Sequence, residues 1–383
     1  MRIGIDVRSL MDKNYSGVSS YTLNLVQEII SLDNKNQYKL FYNSFSDISE
    51  RIPKFDKPNV EIVKKNYPNK FLNYFLFKIF NQPKIDRLLD VDLFLMPHIN
   101  FISLSSSAKS VLTVHDLSFL RYPEFFSLRK NIWHRAIRAK KLVKKFDKIV
   151  AVSENTKNDL VELCDIPEQK VKVIYSGLED FYHSFNFQNK EEKNRIRDKY
   201  NLPEKFILFL GNIEPRKNIQ GLIQSYNILR TEKPELKDYK LILAGARGWR
   251  EKQIITEREK SKFKKDIIFL GYVDYKDKPY LYNMASVFVF PSFYEGFGFP
   301  PLEAQACETP VISSFASSLS EILQNSAILI DPYNNRDMTD AMIEILTNQK
   351  LKEIIIAVGK ENSKRFNWGE TAKEYVKLLK SLR

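Results

Sequence analysis

The sequence has little cysteine, no long apolar run and a shortage of acid, and each narrows what the chain can be. Two cysteines, Cys164 and Cys307, occur in 383 residues. They are too few and too far apart for a disulfide framework or a zinc site, and their helical contexts suit buried thiols. No stretch reaches the ~18 consecutive apolar residues of a membrane-spanning helix. The chain opens directly on an apolar strand, M-R-I-G-I-D-V, without a basic-then-apolar leader, so a cytoplasmic protein is expected. The turn after that strand lacks G-x-G-x-x-G, the dinucleotide fingerprint. Acidic residues number 47 against 60 Lys plus Arg, a net charge of +13. Such an excess fits nucleic acid, an anionic membrane face or a phosphate-bearing ligand, and composition does not choose among them.

What is present is a sustained alternation of short apolar strands and amphipathic helices, with room for two α/β domains. Apolar runs predict strands at Arg2–Val7, Tyr38–Tyr42, Val60–Val63, Asp92–Met96, Ser110–Thr113, Ile149–Val152 and Val171–Tyr175. A second series begins at Phe206–Leu210 and continues at Lys240–Ala244, Ile267–Leu270, Val287–Phe290, Pro310–Ser313 and Ala327–Ile330. Helices between them imply parallel sheets with right-handed crossovers. The fold class is therefore α/β, with two Rossmann-like parallel-sheet domains expected to face one another across a cleft. The polar stretch Glu179–Asn201 reads as the connection. The domains are expected at 1–185 and 186–365, with a C-terminal helix, 366–383, crossing back to the first.

Two segments of the first half stand out. Phe71–Phe80, F-L-N-Y-F-L-F-K-I-F, is too short to span a bilayer; it either packs on the sheet as a helix or presents aromatic surface to a lipid or an acceptor. Residues 127–148 hold nine Lys or Arg and one His. Ile132, Trp133, Ala136, Ile137, Leu142, Val143 and Phe146 recur at helical spacing within them. This predicts one basic amphipathic helix, either a solvated face or a dock for anionic lipid headgroups. A nucleic-acid partner is not expected, because Trp133 and Phe146 fall on the apolar side, where bases could not stack.

The stretch that organises the chemistry is Met284–Ser314, M-A-S-V-F-V-F-P-S-F-Y-E-G-F-G-F-P-P-L-E-A-Q-A-C-E-T-P-V-I-S-S. It reads as a strand, a glycine loop carrying Glu295, a helix opening near Pro301 and carrying Glu303, and a second strand. Glycines let backbone N–H groups approach a ligand, and each carboxylate can accept hydroxyl hydrogen bonds. The two glutamates around G-F-G-F-P, with the flanking P-S and T-P-V-I-S-S, resemble the E-x7-E motif of the retaining nucleotide-sugar glycosyltransferases of family 4, which have the GT-B fold. That resemblance implies that Glu303 holds the ribose hydroxyls. It gives Glu295, with the backbone of Gly296, Phe297 and Gly298, to the transferred sugar, and sets Tyr272 and Val273 against the base.

G-N-I-E-P-R-K-N, Gly211–Asn218, looks like the family's diphosphate loop, in which Lys217 neutralises the leaving group. Many relatives carry arginine directly after the glycine; here that position is Asn212, and Arg216 is the candidate replacement for the missing charge. His115 and Asp116 follow an apolar strand, where ligand-crevice residues are expected. His115 resembles the family histidine that contacts the donor sugar, and Gly17 stands where the first domain would close on the donor. Asp90-Val91-Asp92 looks like the metal-binding D-x-D of the other major glycosyltransferase fold. It opens a strand, the wrong end for a parallel-sheet site, so it reads as incidental and no metal or separate cofactor is expected.

The resemblance implies a glycosyltransferase whose donor is a nucleotide diphosphate sugar and whose acceptor is a saccharide or a lipid-linked saccharide. Retention of configuration comes from the resemblance alone. GDP-mannose is suggested because M-R-I-G-I-D-V-R, G-N-I-E-P-R-K-N and A-G-A-R-G-W resemble members called mannosyltransferases. UDP-glucose, UDP-N-acetylglucosamine and a dTDP-6-deoxyhexose stay open, as does a non-catalytic nucleotide-sugar sensor.

Overall fold

Among the described residues, thirteen short runs, most of them rich in Ile, Val, Leu and Phe, form strands; the inner ones are buried on both faces, as parallel sheets covered by helices require, and the edge strands are partly exposed. The computed structural model describes residues 1–12, 16–69, 71–246 and 248–382. Residues 13–15 of the polar loop after the first strand, and Arg247 of A-G-A-R-G-W, lie outside these.

The chain divides into two units. One comprises Met1–Arg121, Leu128–Gly177 and Asn367–Arg383; the other comprises Tyr122–Ser127 and Leu178–Phe366. In the first, β1 (Arg2–Asp6), β2 (Gln37–Asn43), β3 (Val60–Lys65), β4 (Leu93–Met96), β5 (Lys109–Val114), β6 (Lys148–Ala151) and β7 (Val171–Val173) pair in the order β3-β2-β1-β4-β5-β6-β7, all parallel. In the second, β8 (Lys205–Leu210), β9 (Tyr239–Ala244), β10 (Ile267–Gly271), β11 (Val287–Phe290), β12 (Val311–Ser314) and β13 (Ile328–Ile330) pair in the order β10-β9-β8-β11-β12-β13, again all parallel. The strand order reverses direction beside β1 and β4 in one sheet and beside β8 and β11 in the other. At such a switch point the loops leaving the carboxyl ends of the two strands splay apart and open a crevice.

Each unit is closed by an element distant in sequence. The last helix, Trp368–Lys380, packs on Gly17–Leu32 in the first unit. There Tyr375 Oη stands 2.7 Å from both Tyr21 Oη and Thr113 Oγ1, all three buried. In the second unit, Phe125 stacks on Phe293 and Phe126 on Trp249, whose Nε1 donates to the Phe125 carbonyl at 2.5 Å.

Two local expectations change, and for a third, Phe71–Phe80, the alternatives are resolved. The basic segment is two helices, Leu128–Ile137 and Ala139–Lys144, not one. Arg138 between them is left-handed at φ 53°, and its carbonyl accepts from the N–H groups of Lys141 and Leu142, opening the second helix. The break turns Leu142, Val143 and Phe146 into the core and leaves Ile132 exposed, so the apolar residues do not share one face. The polar stretch read as a connection folds as Asp180–His183 and Lys190–Tyr200 within the second unit. Phe71–Phe80 is a π-helix that buries only Leu72 and Phe77.

Asp90 and Asp92 are explained by the first strand: both bond the Arg2 guanidinium, Asp92 at 2.8 Å. Cys164 and Cys307 are buried free thiols.

Candidate active site

In the second unit the loops leaving β8 and β11, the two strands at the switch point, bring three of the expected residues together. After β8 the chain makes a tight turn, Pro215–Lys217, and Asn218 in the left-handed region (φ 54°) starts the helix Ile219–Glu232. Asn218 Oδ1 accepts from Gly221 N at 3.3 Å, and a Cβ on Gly221 would lie 2.6 Å from that oxygen, so the glycine makes room for the cap. Lys217 thereby points inward. Its Nζ lies 2.5 Å from Glu295 Oε1 and 4.7 Å from the centre of the Phe290 ring at the end of β11.

Glu295 Oε2 takes a second cation, Arg216 Nη1, at 2.9 Å. Arg216 in turn bonds Glu214 Oε1 at 2.9 Å and the Tyr294 carbonyl at 2.6 Å. The four charges of Glu214, Arg216, Lys217 and Glu295 thus cancel. Burial alone would raise the Glu295 pKa, but the charges of Arg216 and Lys217 hold it down at about 2. For Lys217 burial wins, and its pKa falls below the ordinary lysine value despite the pull of Glu295. An ionised carboxylate offers about four lone-pair sites, so two cation contacts leave Glu295 able to accept sugar hydroxyls.

The loop carrying Glu295 is pinned from the serine run after β12. Ser317 Oγ accepts from Glu295 N at 2.7 Å, and Ser318 Oγ donates to the carbonyls of Glu295 and Phe297, each at 3.0 Å. Gly298 then takes φ 109° to cap the helix Phe299–Ala306, and a Cβ there would meet Leu319 Cδ2 at 2.6 Å. Pro300 and Pro301 remove two N–H groups from the first turn. Glu303, on the same helix, accepts from the Tyr282 hydroxyl at 2.7 Å.

Gly211 follows β8 directly, and a Cβ on Gly245 would fall 2.0 Å from its carbonyl oxygen, so Gly245, at φ 132°, lets the two loops pass. Asn212 is exposed and makes none of the contacts of the charge cluster. Val273 is buried and Tyr272 exposed, both just after β10.

In the first unit, His115 stands beyond β5 with its ring edge against Tyr21, centroids 4.5 Å apart. Its Nε2 lies 2.8 Å from the Pro97 carbonyl, which assigns the proton to that nitrogen and leaves Nδ1 as the acceptor. Burial lowers its pKa, so the ring is neutral at pH 7. Asp116 caps the next turn, accepting from Ser118 N at 2.9 Å. At Gly17, the first residue of its helix, nothing among the described residues lies within 4 Å of an added Cβ, so their packing does not demand glycine.

Sequence reasoning missed Glu214, Tyr282, Ser317 and Ser318, although Glu214 lies inside G-N-I-E-P-R-K-N. It also missed the buried pair Asp6–Arg8 at the first switch point, 2.6 Å apart, and His98 beside it. Burial lowers the His98 pKa to about 4, and its buried Nδ1 has no partner among the described residues.

Two family profiles match almost the whole chain: "Glycosyltransferase Family 4" over residues 15–180 and "Glycosyl transferases group 1" over residues 190–362. O-antigen chain mannosyltransferase B of Escherichia coli is 31% identical over 281 residues, 72% of this chain and 71% of that protein. The chain belongs to the family 4 (group 1) glycosyltransferases. It is a glycosyltransferase with the GT-B fold. Serotype-specific mannosyltransferase WbdA of Escherichia coli is 31% identical over 266 residues, 69% of this chain; this chain spans 32% of WbdA. Sucrose-phosphate synthase of Thermosynechococcus elongatus shares the fold at a TM-score of 0.75 and 18% identity, over 100% of this chain and 98% of that one.

Proposed function

We propose that this glycosyltransferase moves mannose from GDP-mannose to a saccharide or lipid-linked saccharide acceptor in the cytoplasm, with retention of configuration and without a metal. The observation that carries the donor site is the buried Lys217–Glu295–Arg216 cluster at the β8/β11 switch point. The choice of mannose rests on the similarity to two proteins called mannosyltransferases.

In this reading Lys217 and Arg216 meet the diphosphate as negative charge builds on it in an oxocarbenium-like transition state. Glu295, already aligned by both cations, receives sugar hydroxyls on its remaining lone pairs, with the backbone of Gly296–Gly298 beside it. Glu303 receives the ribose hydroxyls, and the Tyr272–Val273 backbone meets the base. The C1–O bond to the diphosphate breaks as the acceptor oxygen attacks the same face, and the leaving phosphate oxygen takes the acceptor's proton. His115 and Gly17 are the first unit's proposed donor contacts.

A thermal-shift panel of nucleotide sugars tests the donor. A ligand present at 100 times its dissociation constant adds ~2.7 kcal/mol of stability. The largest shift is expected with GDP-mannose, unaltered by EDTA. A larger shift with UDP-glucose, UDP-N-acetylglucosamine or a dTDP-6-deoxyhexose would reassign the donor. Proton NMR of the product's anomeric signal decides retention.

A further inference from the structure

Of the exposed large apolar side chains of the first unit, more than half lie on two segments that the donor site does not use. Along Phe71–Phe80, Phe75, Ile79 and Phe80 are 52%, 64% and 64% exposed; along Leu128–Ile137, Leu128 and Ile132 are 78% and 66% exposed. The segments share one surface, because the Tyr74 ring lies 5.1 Å from Phe101 and Phe101 lies 6.4 Å from Trp133. Between them runs a groove with Phe77, Phe101 and Ile137 among its apolar lining and Lys78, Arg138 and Lys145 among its basic lining. Residues 128–145 hold eight Lys or Arg and no Asp or Glu.

Soluble monomers rarely leave large apolar side chains clustered in the open. Apolar side chains that dip into the acyl boundary, together with a basic patch that meets anionic headgroups, are the two signals that make reversible bilayer binding stable. No helix among the described residues is long and apolar enough to cross a membrane, so this contact is interfacial. We propose that the face formed by 71–80 and 128–145 seats the protein on an anionic phospholipid bilayer. Phe75, Ile79, Phe80, Leu128 and Ile132 enter the interface, and the lysines and arginines around them meet lipid phosphates. The inference stands independently of the donor assignment.

Co-sedimentation of the full chain with vesicles of phosphatidylglycerol and phosphatidylethanolamine, or of phosphatidylcholine alone, tests it. The protein should bind the anionic vesicles about tenfold more tightly than the neutral ones. Combined Phe75→Ser, Ile79→Ser, Leu128→Ser and Ile132→Ser, or combined Lys140→Gln, Lys141→Gln and Lys145→Gln, should each weaken binding by about tenfold or more at an unchanged melting temperature. Should the serine variant melt early, quenching of wild-type tryptophan fluorescence by brominated phosphatidylglycerol decides, since Trp133 lies on this face. Failure of the wild type to bind anionic vesicles, or equal binding by the serine variant, would overturn the proposal. So would absence of quenching, or oligonucleotide binding that displaces the vesicles and ignores the serine substitutions.

Discussion

Lys217 Nζ and Glu295 Oε1 stand 2.5 Å apart, both side chains buried, although 78 residues separate them in the chain. The pairing makes the lysine's charge state depend on the glutamate. In the proposed donor site Lys217 must carry its proton to face a diphosphate, and burial already lowers its pKa. Replacing Glu295 by Gln removes the charge that holds the proton on. The alkaline limb of the rate–pH profile is therefore expected to move to lower pH in Glu295→Gln. An unmoved limb would mean that Lys217 does not set it.

The same carboxylate makes stability fall in acid. Its folded pKa is about 2 against an ordinary 4.5, so its contribution is complete above pH 4.5 and disappears as pH falls towards 2. At ~1.36 kcal/mol per pKa unit the contribution is on the order of 3 kcal/mol. Urea denaturation of wild type and Glu295→Gln at several pH values should show their difference shrinking across that window. A constant difference would contradict the linkage.

Two glycines separate packing from ligand approach. Gly245→Ala forces a Cβ to within 2.0 Å of the Gly211 carbonyl at φ 132°, and is expected to cost ~3 kcal/mol or more. Gly17→Ala meets nothing within 4 Å among the described residues, so the melting temperature should hold. If a donor approaches that backbone, the KM for the nucleotide sugar should rise in Gly17→Ala. Unchanged stability and unchanged kinetics would remove Gly17 from the site.

The closing helix of the first unit depends on a buried hydroxyl. Tyr375→Phe removes the central member of the Tyr21–Tyr375–Thr113 chain and leaves two buried hydroxyls short of a partner. A loss of ~1–3 kcal/mol is expected by denaturant titration, and a loss under ~0.5 kcal/mol would mean that the hydroxyls find other partners.

Much of this was legible in the residues. Strands buried on both faces are written as plain apolar runs, so β8 and β11 could be placed from the sequence alone, and glycines and prolines marked the loops that follow them. The left-handed Arg138 was hidden because arginine favours helices and the apolar spacing runs on through it; only the demand of the core for Leu142, Val143 and Phe146 reveals the break. Ser317 and Ser318 look like ordinary polar loop residues until the fold sets them against Glu295 and Phe297. Tyr282 reads as a core aromatic, and its hydroxyl acquires a role only beside Glu303. Exposure was equally hidden, because the apolar residues of 71–80 look the same in sequence whether they pack or face outward.

The most direct measurement is calorimetric titration of GDP-mannose into the wild type and Glu303→Gln. Glu303 is partly exposed, and among the described residues its carboxylate accepts one hydrogen bond, from the Tyr282 hydroxyl, so the substitution should leave the fold intact. Binding at one site per chain is predicted, at least tenfold weaker in the variant, corresponding to ~1.4 kcal/mol for one lost ribose contact. Equal affinity in the two proteins would contradict the placement of the nucleotide at the β8/β11 switch point.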